Sequence, residues 1–265
     1  MSTPERRTVP TRVRREPPRF RRVAVRRVEH LSPRLIRVTL AGAELDGFAV
    51  EEPAASVRLL LPPPGTTELV MPTWTGNEFL MPDGSRPTIR TFTPRRTDPT
   101  ARELDIDIVV HGGGVASTWA GAAHPGDEAA ISGPGRGYAV DPDAPAFLLA
   151  GDETAIPAMS QLLEVLPAGT PVEVHVEVAD PRARLPLPDH PRATVSWHDL
   201  APGAPPGDAL LDAVRGAAVD PGTRVWVAGE AAAVQRIRRH LFDDRGLPRS
   251  QTTVRGYWKR GRAGD

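Results

Sequence analysis

Arg90-Thr91-Phe92-Thr93-Pro94-Arg95 is the stretch from which the rest of the chain is read. β-Branched and aromatic residues at alternate positions give it strand character. Alternation sends Arg90, Phe92 and Pro94 to one face and Thr91, Thr93 and Arg95 to the other. A twist or bulge at the strand's end brings both sets to bear on one ligand. A guanidinium suits a pyrophosphate, a threonine hydroxyl suits a ring nitrogen, and a phenylalanine stacks on an aromatic face. Together they suit a flavin dinucleotide. The same six residues also suit a half-buried strand with solvated arginines.

Outward from the hexapeptide the pattern stays β-like. Short apolar runs at 22–28, 35–40 and 57–61 precede it, and 104–110 and 127–132 follow, separated by Pro, Gly and Asp. With the segment 88–96 these make six, which predicts a small antiparallel β-barrel. Between them 62–86 is a long Pro- and Gly-containing insertion with Trp74 and Phe79, either functional or disordered. Residues 1–19 are rich in Arg and Pro and predict a flexible arm.

Beyond Ala146 the period changes. Phe147-Leu148-Leu149-Ala150 is a continuous apolar run, as in a strand buried on both faces. A helical pattern over 157–166, strands at 172–178 and 194–197, a short helix capped by Asp208, a strand at 224–228, a helix after Glu230 ending at Gly246 and a strand at 252–255 complete the alternation. That predicts an α/β domain with a mostly parallel sheet. The boundary falls at the Pro- and Asp-rich 141–145, giving a barrel over 20–141 and an α/β domain over 145–265.

Four further stretches carry chemistry. In 111–120 a strand ends at His111, glycines follow, and a helix begins near Ser117; amides at a helix start suit a pyrophosphate, although a plain strand-to-helix turn has the same composition. Gly151-Asp152-Glu153-Thr154-Ala155-Ile156-Pro157-Ala158 follows the first α/β strand, where parallel sheets bind ligands. Helix capping by Asp152 or Thr154 explains its composition equally well. Ala228-Gly229-Glu230 stands at another such strand end, and Gly256-Tyr257-Trp258-Lys259-Arg260-Gly261 brings two rings and two cations near the C-terminus.

Taken together, these stretches resemble the siderophore-interacting protein family, FAD-dependent ferric-siderophore reductases within the ferredoxin-NADP reductase superfamily. The hexapeptide is similar to the flavin motif Arg-x-Tyr/Phe-Ser/Thr-x-Arg, with Phe92 where many members have tyrosine. Segment 111–120 resembles His-Gly-x-x-Gly-Pro-Ala-Ser-x-Trp-Ala, with Val115 in place of the proline. The resemblance implies FAD contacts from Arg90, Thr91, Phe92 and Thr93, and from His111, Gly114, Val115, Ala116, Ser117 and Trp119. It implies that Asp152, Glu153, Thr154 and Ala155 stand at the flavin–nicotinamide junction, joined by Glu230, with Tyr257 and Trp258 folded back against the flavin. Thr93, Asp152 and Thr154 are the expected catalytic residues. Cations at the rim, Arg136, Lys259 and Arg260, are expected to hold an anionic ferric siderophore. The implied reaction is hydride transfer from NADPH or NADH to flavin, then single electrons to siderophore-bound Fe(III). Some members draw electrons from ferredoxin instead.

Composition narrows the classes. Lys+Arg 33 balance Asp+Glu 33, and Lys259 is the one lysine, so no global field favours nucleic acid or a membrane surface. The absence of cysteine excludes disulfides, iron–sulfur clusters and thiolate metal sites, and no metal site is expected. Without a spanning apolar run or an export signal, the expected location is the cytoplasm. Two other functions remain compatible with the residues: a flavin reductase with another acceptor, and a siderophore binder without catalysis.

Overall fold

The computed structural model describes residues 18–111 and 113–261. The arm expected over 1–19 lies outside them except for Pro18 and Arg19.

The N-terminal half is antiparallel. Its strands are β1 (Phe20–Ser32), β2 (Leu35–Ala41), β3 (Val57–Leu60), β4 (Thr73–Trp74), β5 (Phe79–Leu80), β6 (Ile89–Phe92), β7 (Pro94–Asp98), β8 (Glu103–Val109) and β9 (Glu128–Ser132), with helix α1 (Val115–Ala122) after β8. Seven of them form one sheet in the order β6-β3-β9-β1-β2-β8-β7. Strands β6 and β7 are consecutive in the chain yet lie at opposite edges. The hexapeptide therefore breaks at Thr93 and joins the two edges of the sheet. Six expected strands become seven because this one is divided between two partners: β6 pairs with β3 and β7 with β8. Alternate side chains such as Val38, Leu40, Leu59, Ile106 and Ile131 fill the interior. Each contributes roughly 1.5–3 kcal/mol on burial. Ala116, Trp119 and Ala120 of α1 pack against the same interior.

The insertion is ordered. Strands β4 and β5 make a hairpin whose Trp74 and Phe79 rings lie 4.9 Å apart, and Phe79 meets Phe20 edge-on at 5.2 Å.

The second half holds β10 (Phe147–Asp152), α2 (Ile156–Val165), β11 (Val172–Val178), β12 (Ala193–Asp199), α3 (Asp208–Gly216), β13 (Arg224–Glu230), α4 (Ala231–Arg239) and β14 (Thr252–Trp258). The sheet order is β12-β11-β10-β13-β14, and every pairing is parallel. Strand β10 is buried on both faces as its apolar run requires: Phe147 and Leu149 pack toward α2, Leu148 and Ala150 toward α3 and α4. Between β10 and β13 the order reverses, which is where open α/β sheets bind ligands. Two local expectations are corrected. Asp208 does not cap α3; Gly207 takes that position, and the buried Glu177 carboxylate accepts from the Gly207 and Leu210 amides at 2.6 and 3.1 Å. Strand β14 runs on through Trp258, since its pairing with β13 continues past a register shift at Gly229/Glu230.

The halves are fastened to each other by named contacts. Arg95, buried in β7, makes a two-pronged pair with Glu164 of α2 at 2.7 and 3.1 Å. Gln161 accepts from the Ala54 amide at 2.9 Å and donates to the Pro94 carbonyl at 2.6 Å. Arg255 of β14 donates to the Gly137 carbonyl at 3.0 Å. Arg34, in the β1–β2 turn, donates to both oxygens of Glu153 at 2.8 and 2.9 Å.

Candidate active site

These contacts leave one large cleft between the two sheets, of about 1100 Å³. Small-molecule sites usually measure about 300–1,000 Å³, so this one has room for an extended ligand. One wall belongs to the barrel. Arg90, Thr91, Phe92 and Thr93 line it at the break between β6 and β7, with Ile89 beside them. Arg90 also donates to the Ile89 carbonyl at 2.8 Å. Phe92 stands opposite Val57 and touches the barrel interior with part of its ring while facing the cleft with the rest.

Next to this strand lies the start of α1. The helix begins at Val115, two residues before the expected position, with Gly114 as N-cap and no side chain capping it. The first amides of a helix have no partner within it. Gly114, Val115, Ala116 and Ser117 line the cleft, so these donors face the same space as Arg90. Ser117 holds the turn in place, accepting from the His111 amide and donating to the His111 carbonyl, each at 2.9 Å. A Cβ on Gly114 would come within 2.8 Å of the His111 ring, so a glycine allows the turn to close.

The opposite wall is the C-terminal edge of the parallel sheet. Asp152 ends β10 and lines the cleft with Glu153 and Thr154. Its Oδ1 accepts from the Thr154 amide at 2.9 Å and the Thr154 hydroxyl at 2.5 Å. Its Oδ2 accepts from the Glu230 amide at 2.8 Å and the Trp258 indole at 2.7 Å. Burial raises the Asp152 pKa, and the four hydrogen bonds pull it back. Glu153 is 5% exposed and accepts from Arg34 and, at 2.8 Å, from the Ala179 amide. Burial raises its pKa too, opposed chiefly by the Arg34 charge. Both acids hold backbone and side chains of this protein in place.

The tail completes the cleft. Tyr257, Trp258, Lys259 and Arg260 all line it. Burial raises the pKa of the Tyr257 phenol, and its hydrogen-bonding neighbour is Thr93 of the other wall.

Four expected site residues fall outside the lining. Trp119 packs against the barrel interior, and Ala155 is wholly buried beneath the strand end. Glu230 caps α4, accepting from the Ala233 amide at 2.8 Å, and its other oxygen accepts from the Arg260 amide at 3.2 Å. Arg136 is exposed, and its carbonyl accepts from Arg255 at 3.3 Å. Glu177 and Arg255 line the cleft without any local sequence signal, because their partners lie 30 or more positions away.

The donor set suits FAD. Uncapped helix amides beside an arginine suit its diphosphate. Phe92, Tyr257 and Trp258 offer flat faces, and Thr91 and Thr93 offer hydroxyls to a polar ring edge. Among the described residues no group of three or more His, Asp or Glu is placed to hold a metal ion, and no helix is long and apolar enough to cross a membrane.

Comparison with known proteins agrees with the geometry. The siderophore-interacting FAD-binding domain model matches residues 24–138, and the siderophore-interacting protein model matches 144–261. The chain is 35% identical over 253 residues to the NADPH-dependent ferric-chelate reductase of Escherichia coli, covering 94% of this chain and 96% of that one. It is 30% identical over 241 residues to the ferric vibriobactin reductase of Vibrio cholerae, covering 89% and 88%. A siderophore utilization protein from T. fusca superposes with a TM-score of 0.83 at 37% identity, over 94% of this chain and 97% of that chain. The chain belongs to the siderophore-interacting protein family.

Proposed function

We propose that the protein is an FAD-dependent ferric-siderophore reductase of the cytoplasm. It draws electrons from NADPH, NADH or reduced ferredoxin and releases siderophore-bound Fe(III) as Fe(II). The observation that supports this reading is the meeting of four elements on one cleft: the broken motif strand, the uncapped start of α1, the end of β10 and the aromatic tail. When bound, FAD supplies the change from a two-electron donor to a one-electron acceptor. The protein's part is position and charge. Arg90 and the α1 amides hold the diphosphate, Phe92 flanks the ring, and the Thr93 hydroxyl meets its polar edge. Lys259 and Arg260 attract an anionic ferric complex to the open side. The siderophore brings the iron's ligands, so the site needs none of its own.

Anaerobic titration of the FAD-loaded protein with NADPH, NADH and reduced ferredoxin in parallel tests this reading. One donor at least is expected to bleach the flavin absorbance. Failure of all three overturns it.

A further inference from the structure

The aromatic tail is fastened at two points, both by carboxylates at strand ends. The Trp258 indole donates to Asp152 at 2.7 Å, and the Arg260 amide donates to Glu230 at 3.2 Å. An ionised carboxylate has about four lone-pair sites. Asp152 has all four occupied, by Thr154 twice, by Glu230 and by Trp258. It therefore ties together the end of β10, the end of β13 and the tail, with no acceptor site left for a ligand. Gly229 makes room for it. A Cβ on Gly229 (φ +152°) would lie 2.6 Å from Asp152 Oδ2, whereas one on Gly151 would meet Ala155 Cβ at 2.4 Å and the Ala228 carbonyl at 2.8 Å, so that glycine lets β10 pack against its neighbours. Trp258 is 36% exposed, one of three exposed large hydrophobic residues among the described ones, yet its indole N–H is fixed.

We propose that Asp152 is a positioning residue for the tail. Its carboxylate holds the Trp258 ring as a wall of the cleft, and this fixes where Lys259 and Arg260 stand. Asp152 acts through Trp258 and touches neither the flavin nor the electron donor. The fastening itself does not depend on which acceptor the enzyme serves; its effect on turnover rests on the ferric-siderophore reading above.

Hydrogen exchange of the indole N–H groups in flavin-free, 15N-tryptophan-labelled protein tests the fastening directly. Trp258→Phe identifies the Trp258 signal by its loss. In the parent that signal is expected to exchange at least tenfold more slowly than a free indole, despite the exposed ring. Asp152→Ala is expected to remove the protection while the signals of Trp74, Trp119, Trp197 and Trp226 report an intact fold. A parent signal that exchanges as fast as a free indole overturns the proposal, and this outcome does not depend on Asp152→Ala folding. Protection that survives Asp152→Ala also overturns it.

Kinetics separate positioning from direct contact. Whatever fold-change Trp258→Phe makes in kcat and in the KM for donor and acceptor, Asp152→Ala is expected to reproduce within twofold, and the double variant to equal either single. Effects that multiply in the double variant, or a loss in Asp152→Ala that Trp258→Phe does not share, place Asp152 on the ligand or in the scaffold alone and overturn the proposal. A parent that never reduces a ferric siderophore overturns the functional reading but leaves the exchange test standing.

Discussion

The two walls of the cleft differ in what their polar groups do. On the barrel side the amides that open α1 have no helical partner and no capping side chain, and Thr91, on the same cleft, is exposed. On the sheet side Asp152, Glu153 and Glu177 are all occupied by internal hydrogen bonds. Burial raises the pKa of each. The barrel wall is a surface prepared for a ligand. The sheet wall is a frame that fixes strand ends, a helix start and the tail.

Breaking the frame is expected to have the largest effect. Glu164→Ala leaves the Arg95 guanidinium, 7% exposed, without its partner. Leaving a buried charge unpaired costs about 3–5 kcal/mol, and the partial exposure of Glu164 puts this pair toward the lower end. Urea unfolding is the check. A loss under about 1 kcal/mol, the scale of a surface pair, contradicts the role of Arg95 as a fastening between the halves.

The ligand wall sharpens the comparison from the other side. Arg90→Ala removes a charge-assisted hydrogen bond worth about 1.5–3 kcal/mol to the FAD diphosphate. Calorimetric titration of FAD into the flavin-free variant is expected to show affinity down roughly tenfold or more, with the urea midpoint of the flavin-free form little changed. Unaltered affinity removes Arg90 from the site.

Thr93→Val makes a finer distinction. The isosteric variant keeps the break between β6 and β7 but loses the hydroxyl beside Tyr257. FAD affinity is expected to hold within a few-fold while stopped-flow flavin reduction slows. Reduction at the parental rate takes Thr93 out of the chemistry.

Smallest of all is the expected effect at the rim. With Lys259 and Arg260 both replaced by glutamine, the salt dependence of the KM for an anionic ferric siderophore is expected to flatten, because added ions screen attraction that these cations supply. The parent's KM and salt curve in the double variant would assign both cations to solvent.

The same contrast explains how much the sequence disclosed. Periodicity marked all six barrel segments and the alternation of strands and helices, because each is a local pattern enforced by a buried face. It could not divide the motif strand at Thr93, since that break depends on which edges β3 and β8 present. Residues on the ligand wall were legible because they cluster within two short segments. Two frame residues were not, unlike Asp152 and Glu153 in their local segment: Glu177 reaches α3 across 30 positions, and Arg255 reaches Gly137 across 118. Trp119 and Ala155 sit within two positions of cleft residues in the chain, yet helix geometry and core packing turn them away, and Glu230 is taken up by a cap.

Loaded with FAD, this cleft is expected to reduce iron held inside a siderophore. Anaerobic stopped-flow mixing of the reduced protein with a ferric siderophore, in the presence of an Fe(II)-specific chelating dye, tests it most directly. Flavin absorbance is expected to return as the Fe(II)–dye complex appears, about two Fe(II) for each flavin, since FAD carries two electrons and each iron takes one. Flavin that stays reduced, or returns without Fe(II), contradicts the account.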